Sequence, residues 1–326
     1  MVVEVSQAAE WRDVDRGRPA ILRGLVQNWP AVQAGPALID YLKSFYAGQP
    51  APLFEAPAAV GGRFFYNATL DGFNFESRRA PITELLDRLT RGRGDPAAPA
   101  LYAGSVSLPI YFPGFSAANP IRGLITVPSV LESIWIGNRT CIAAHFDNTD
   151  NIACVVAGRR RFTLFPPEQI GNLYVGPLDL TPAGQPISLV DIRNPDFDKF
   201  PRYAAALEVA EVAELGPGDA VYVPALWWHH VEALDDFNVL VNYWWREVPA
   251  FFDSPTSTLL HSLLTIKSLP PEQRARWKAL FDYLIFQTDA PALEHLPPQV
   301  RGLFGELTEA KAERLRAMLI QSLSRR

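Results

Sequence analysis

Residues 140–165 read TCIAAHFDNTDNIACVVAGRRRFTLF, and the fold is decided by how this run is punctuated. Ile152 to Val156 and Arg161 to Phe165 are short β-rich runs, parted by a turn signal at Ala157-Gly158. His145 and Asp147 stand one residue apart. In an extended strand both side chains leave the same face, close enough to share one metal ion.

The same rhythm extends on both sides. Leu131 to Ile136, Ala220 to Val223 and Asn238 to Trp245 read as further strands, with turn signals at Pro166-Pro167 and Gly216-Pro217-Gly218-Asp219. Such spacing predicts a sandwich or small barrel. Residues 174–202 are long, Pro/Asp-rich and weakly periodic, as suits an insertion loop between strands. Upstream, residues 37–46 and 81–89 repeat apolar side chains at helical spacing, Arg63 to Tyr66 is β-like, and residues 91–99 form a Gly/Pro/Ala-rich connector. Beyond Pro249 the pattern turns helical, over 257–266, 271–286 and 308–324, with Pro270-Pro271 and Pro297-Pro298 as punctuation. The expected organisation is a helix and strand flank over 1–95, a β core over 96–248 and a helical region over 249–326.

Composition narrows the function classes. Of 326 residues, 48% are hydrophobic and 20% charged, enough for a sizeable core and too apolar for a disordered chain. The net charge is −5 with both signs scattered, so no basic stripe is present and direct nucleic-acid binding is not expected. No apolar run approaches the roughly 20 residues a membrane span needs. Glu4, Glu10, Arg12 and Asp13 stand where a signal peptide would be apolar, so the protein is expected to be cytoplasmic and free of membranes. Glu10 to Arg18 reads as a solvated mixed-charge face. Cys141 and Cys154 offer no disulfide framework and read as small buried hydrophobes. Histidine chemistry must draw on His145, His229, His230, His261 and His295, of which the last two lie in the helical tail.

A second segment, 216–245, reads GPGDAVYVPALWWHHVEALDDFNVLVNYWW. Here a turn, a strand and the strand-terminating Pro224 lead to a histidine pair flanked by Trp227 and Trp228. One member of the pair completes two histidines and one carboxylate. That set occupies one face of an octahedral ion and leaves places for substrate and oxygen, as Fe(II) oxygenase chemistry requires. His229 and His230 point to opposite faces of an extended strand, so at most one is a ligand; periodicity does not choose between them.

Taken together, His145-x-Asp147, the GRRRFTLFPP stretch at 158–167, the Pro-Gly-Asp turn, Trp-Trp-His-His and Val-Asn-Tyr-Trp resemble the cupin-like JmjC Fe(II)- and 2-oxoglutarate-dependent oxygenases, most nearly the asparaginyl hydroxylases. Pro19 to Pro30 resembles that family's N-terminal entry. The resemblance implies a mainly β chain with helical flanks, built on a double-stranded β-helix (cupin or jelly-roll) core with C-terminal helices. It implies Fe(II) held by His145, Asp147 and His229, with 2-oxoglutarate as co-substrate, in a dioxygenase that hydroxylates a protein side chain or a small molecule. Where the family places a lysine for the distal carboxylate, fifteen residues beyond the first ligand, this chain has Arg160, with Arg159 and Arg161 as rivals. Asn151 and Asn242 match positions that hydrogen-bond the co-substrate or line its pocket, Trp244 matches an aromatic near the metal, and Tyr102 offers a phenol. Ile142 departs from the pattern by replacing a threonine. Leu259, Leu260, Leu263, Leu264, Leu280, Tyr283, Leu284 and Phe286 form apolar helix stripes where the resembled hydroxylases pair two chains, so a homodimer is expected. The alternative reading is a metal-binding cupin-like module that holds a small ligand or peptide without oxygenase turnover.

Overall fold

The computed structural model describes residues 2–5, 11, 14–121, 123–182, 184–287 and 294–324. Glu10, Arg12 and Asp13 of the charged N-terminal stretch lie outside the described residues. The chain forms two compact units, Met1–Arg246 and Glu247–Arg326.

The first unit is mainly β. Its strands are β1 (Val3–Val5), β2 (Ala20–Leu22), β3 (Ala51–Ala56), β4 (Arg63–Phe64), β5 (Glu76–Ala80), β6 (Ala100–Ser107) and β7 (Val130–Gly137). They continue as β8 (Cys141–His145), β9 (Asp150–Ala157), β10 (Arg160–Phe165), β11 (Glu211–Leu215), β12 (Ala220–Val223), β13 (Trp228–Ala233) and β14 (Asn238–Trp245). A large sheet runs β1-β2-β12-β9-β14-β7-β6-β3-β5 and a small one β11-β10-β13-β8-β4. Both have free edges, so of the two architectures expected from the spacing the sandwich forms and the closed barrel does not.

Alternation along the strands builds two apolar layers. Ala153, Val155, Val221, Val223 and Leu240 of the large sheet meet Phe162, Leu164, Ala213, Leu215 and Val231 of the small sheet in one core. The intervening residues Ile152, Cys154, Tyr222, Val241, Tyr243 and Trp245 face the other way, onto Leu38 and Leu42 of helix Leu38–Phe45 and Leu85, Leu86 and Leu89 of helix Ile82–Arg91. Each such side chain, fully buried, contributes about 1.5–3 kcal/mol. Cys141 and Cys154 are free and buried, as their spacing led us to expect.

The turn before β12 is fixed by Asp219, whose carboxylate accepts from the backbone N–H groups of Gly24 and Gly216 and from Arg23. Gly218 sits there at φ +97°, where a side chain would be strained and its Cβ would come to 3.0 Å from Gln27 Cα. The span 174–202 is a loop, yet it is anchored: Ile187 bridges His145, Val175 bridges Ser188, and Ser188 N–H donates to Ala144 O at 2.7 Å.

In the second unit the helices are Pro255–Thr265, Pro271–Phe281 and Glu309–Leu323, with a π-helical turn over Asp282–Phe286. Many of its large apolar side chains are exposed, among them Leu260, Leu264, Ile285, Phe286 and Ile320. Among the described residues no helix is long and apolar enough to cross a membrane.

Candidate metal centre

Two sheet ends converge on the site. Strand β8 ends at His145 and pairs with β13, where His145 and His229 are direct cross-strand partners. The register shifts immediately afterwards, because two residues on β8 (Ala143 and Ala144) stand against the single His230 on β13. Asp147 lies two residues beyond the end of β8, not within a strand as the spacing suggested, and its backbone carbonyl accepts from Leu226 N–H at 2.8 Å. That contact ties the segment after β8 to the Pro224–Trp227 turn that introduces β13. Asp150 braces the same turn, accepting from Tyr222 Oη at 2.9 Å and from Ala225 N–H at 3.2 Å.

His145, Asp147 and His229 each offer a ligand atom within 4.8 Å of the others. The imidazole rings are 4.3 Å apart by centroid, and His229 Nε2 lies 3.7 Å from Asp147 Oδ2. Each imidazole Nδ1 is held by a backbone carbonyl, His145 by Ala143 O at 2.9 Å and His229 by Trp227 O at 3.0 Å. A carbonyl can only accept, so Nδ1 carries the proton and Nε2 keeps its lone pair for a cation. Burial, followed by the neighbouring His145, pushes the His229 pKa down to about 4, so this nitrogen is unprotonated at neutral pH. The donor set therefore fits a divalent ion. His230 turns to the opposite face, with Nε2 at 3.7 Å from Cys141 Sγ and 3.8 Å from Glu232 Oε1.

One cavity of about 320 Å³ contains all eight residues singled out from the sequence: His145, Asp147 and His229, with Tyr102, Asn151, Arg160, Asn242 and Trp244. Its walls are otherwise mostly apolar, including Phe54, Phe64, Phe75, Trp135 and Phe162. Ile142 also lines it, in place of the hydroxyl the pattern would put there.

Strand alternation sorts the three arginines. Arg159 and Arg161 are tied on the outside, to Asp235 at 2.9 Å and Glu214 at 2.8 Å. Arg160 faces inward, is 3% exposed, and its Nε has no hydrogen-bond partner among the described residues. Burial pulls its pKa down to about 10, which still leaves a cation at neutral pH. Asp147 is the other charged residue of the wall. Asn242 Nδ2 donates to Asn151 Oδ1 at 2.6 Å, while Asn242 Oδ1 and Trp135 Nε1 are buried without partners among the described residues. Tyr102 stacks on Trp135 at 5.7 Å, and burial raises its phenol pKa, keeping it a donor.

Gln185, Trp135 and Asp150 did not stand out in the sequence. Gln185 comes from the 174–202 loop, and its Nε2 donates to Asp147 Oδ1 at 3.2 Å. Trp244 Nε1 donates to the other oxygen, Oδ2, at 3.0 Å. Composition and periodicity carry no signal for such a loop contact. Asp150 could have been suspected as an acidic residue opening an apolar strand.

Comparison with known proteins finds that residues 7–251 match the model of a family described as Cupin-like domain. The chain is 35% identical over 134 residues to lysine-specific demethylase JMJ31 of Arabidopsis thaliana, covering 39% of this chain and 24% of that protein. It is 32% identical over 145 residues to tRNA wybutosine-synthesizing protein 5 of Gallus gallus, covering 40% and 42%. It is 24% identical over 244 residues to lysine-specific demethylase 8 of Danio rerio, covering 71% and 54%. The matched regions thus span about a quarter to about half of these curated relatives. Their names differ in reaction, so the similarity carries the family and does not single out its asparaginyl-hydroxylase branch.

Proposed function

The chain belongs to the cupin-like JmjC domain family, and from that membership we propose that it is an Fe(II)- and 2-oxoglutarate-dependent oxygenase that hydroxylates a C–H bond. The observation that carries the reading is Arg160. Among the described residues no carboxylate forms an ion pair with this buried cation, which is costly, and a dicarboxylate bound at the metal site would pair with it.

Bound together at this site, Fe(II) and 2-oxoglutarate would supply oxidative decarboxylation by O₂ to succinate and CO₂, one oxygen atom of O₂ going into succinate and the other into the substrate C–H bond. The chain's own groups do the rest. His145 and His229 present Nε2 atoms fixed by their backbone hydrogen bonds, and Asp147 supplies the negative charge. Arg160 would hold the distal carboxylate, for which its planar fork of donors is suited. Asn242 Oδ1, the Trp135 N–H and the Tyr102 phenol line the same cavity and are available to the co-substrate. Phe54, Phe64, Phe75 and Phe162 make the cavity wall largely apolar, and a low-dielectric wall strengthens polar contacts inside it.

The exposed apolar side chains of the second unit support a homodimer formed through these helices, since a monomer seldom leaves so many uncovered. The function is tested by incubating Fe(II)-reconstituted protein with 2-oxoglutarate and following succinate, with mass detection of a product heavier by one oxygen atom. Succinate formation that needs both iron and an intact Asp147 supports the oxygenase. A protein that holds iron yet releases no succinate with any substrate pool supports the binding module instead.

A further inference from the structure

Asp147 accepts a hydrogen bond on each oxygen, from donors on two separate elements. Trp244 Nε1, on β14, donates to Oδ2 at 3.0 Å, and Gln185 Nε2, on the 174–202 loop, donates to Oδ1 at 3.2 Å. Oδ2 is the oxygen 3.7 Å from His229 Nε2, so it faces that imidazole. Each carboxylate oxygen has two lone-pair directions. The Trp244 hydrogen bond takes one on Oδ2 and leaves the other for an ion, whereas Oδ1 is turned to Gln185.

We propose that Gln185 and Trp244 are positioning residues that hold Asp147 to a single metal-facing oxygen. The inference rests on the metal-site reading above and deepens it. Two imidazoles and one carboxylate oxygen leave three places on an octahedral ion: two for a chelating 2-oxo acid and one for oxygen. A carboxylate free to swing and bind through both oxygens would take one of those places. Gln185 prevents this, and in doing so makes the 174–202 loop part of the metal site. The loop is suited to the task. Ile187, two residues on, bridges His145, and Ser188 is fastened to Ala144, so the glutamine rides on a segment locked to the strand that carries the first ligand.

The test uses Co(II), which reports coordination through its visible bands and needs neither oxygen nor co-substrate. Wild type, Gln185→Met and Trp244→Phe are titrated as full-length proteins. Methionine keeps the length and packing of glutamine and removes only the donor. The expected result is a Co(II) affinity about 10- to 100-fold weaker in each variant. A shifted visible band in Gln185→Met, the sign of a changed ligand set on the ion, is expected with it. Wild-type affinity and an unchanged band in Gln185→Met would overturn the proposal, and if Trp244→Phe fails to fold this single variant still decides. Wild-type protein that takes up no Co(II) would overturn the metal-site reading itself and this proposal with it. Binding by wild type that Gln185→Met reproduces would overturn only the positioning role.

Discussion

His145 and His229 are cross-strand partners whose rings lie 4.3 Å apart, and the register of β8 against β13 slips immediately beyond them. The slip decides which of two adjacent histidines meets the ion. His229 is paired with His145 at the strand end, and His230 is left on the far face against Cys141.

It follows that His229→Ala abolishes stoichiometric metal binding, as His145→Ala and Asp147→Ala do. His230→Ala keeps the metal and loses about 1–3 kcal/mol of stability from the cavity it leaves. Metal analysis and thermal unfolding of the four variants check this. Full occupancy in His229→Ala with loss in His230→Ala would mean the ligand is the other histidine.

Arg160→Ala should weaken 2-oxoglutarate binding by about a hundredfold while iron stays in place, since removing one partner of a buried charge pair costs about 2–5 kcal/mol. Calorimetric titration of the Mn(II)-loaded protein measures it. Arg160→Lys should recover part of the loss, because an ammonium keeps the charge without the planar fork. Wild-type affinity in Arg160→Ala would place the anchor elsewhere.

Burial holds both His229 and His230 near a pKa of about 4. In the unfolded chain each returns to its ordinary value of about 6.5. Above pH 6.5 neither state carries these protons and the stability is intact. Between about pH 6.5 and 4 the unfolded state binds them and the folded state does not, so stability falls as pH falls, by about 1.4 kcal/mol per pH unit for each histidine. Denaturant unfolding of metal-free protein at pH 7, 6 and 5 checks the slope, and His230→Gln should remove about half of it. A flat profile would contradict the burial argument.

Much of this was legible before the structure. The near-continuous apolar runs of β9 and β14 suit strands buried on both faces, and those faces are the two cores; Leu240, Asn242 and Trp244 share the face that becomes the cavity wall. Arg160 could be counted to but not chosen from the sequence, because its rivals are excluded only by Asp235, from the turn between β13 and β14, and Glu214, from β11. The histidine pair was undecidable for a similar reason: a register shift is a property of two strands and cannot be read in one. Gln185 was invisible because loops have no period, and the contact that matters spans thirty-eight residues.

The exposed leucines and aromatics of the helical unit lead to a particle of twice 36.2 kDa at micromolar concentration. Leu284→Glu, placing a charge where an apolar contact is expected, should yield a folded monomer. Light scattering reads both. A wild-type monomer would remove the basis for a homodimer.

The central claim, that His145, Asp147 and His229 hold an iron to which 2-oxoglutarate chelates while Arg160 takes its far carboxylate, is tested most directly by an anaerobic titration. Fe(II)-loaded protein is titrated with 2-oxoglutarate and its visible absorption is followed, since a 2-oxo acid bound to ferrous ion through two oxygens gives a metal-to-ligand charge-transfer band. The account predicts a band that saturates at one co-substrate per chain in wild type, fails to form in Asp147→Ala, and needs about a hundredfold more 2-oxoglutarate in Arg160→Ala. A wild-type protein carrying one iron per chain and showing no such band at saturating 2-oxoglutarate would contradict it.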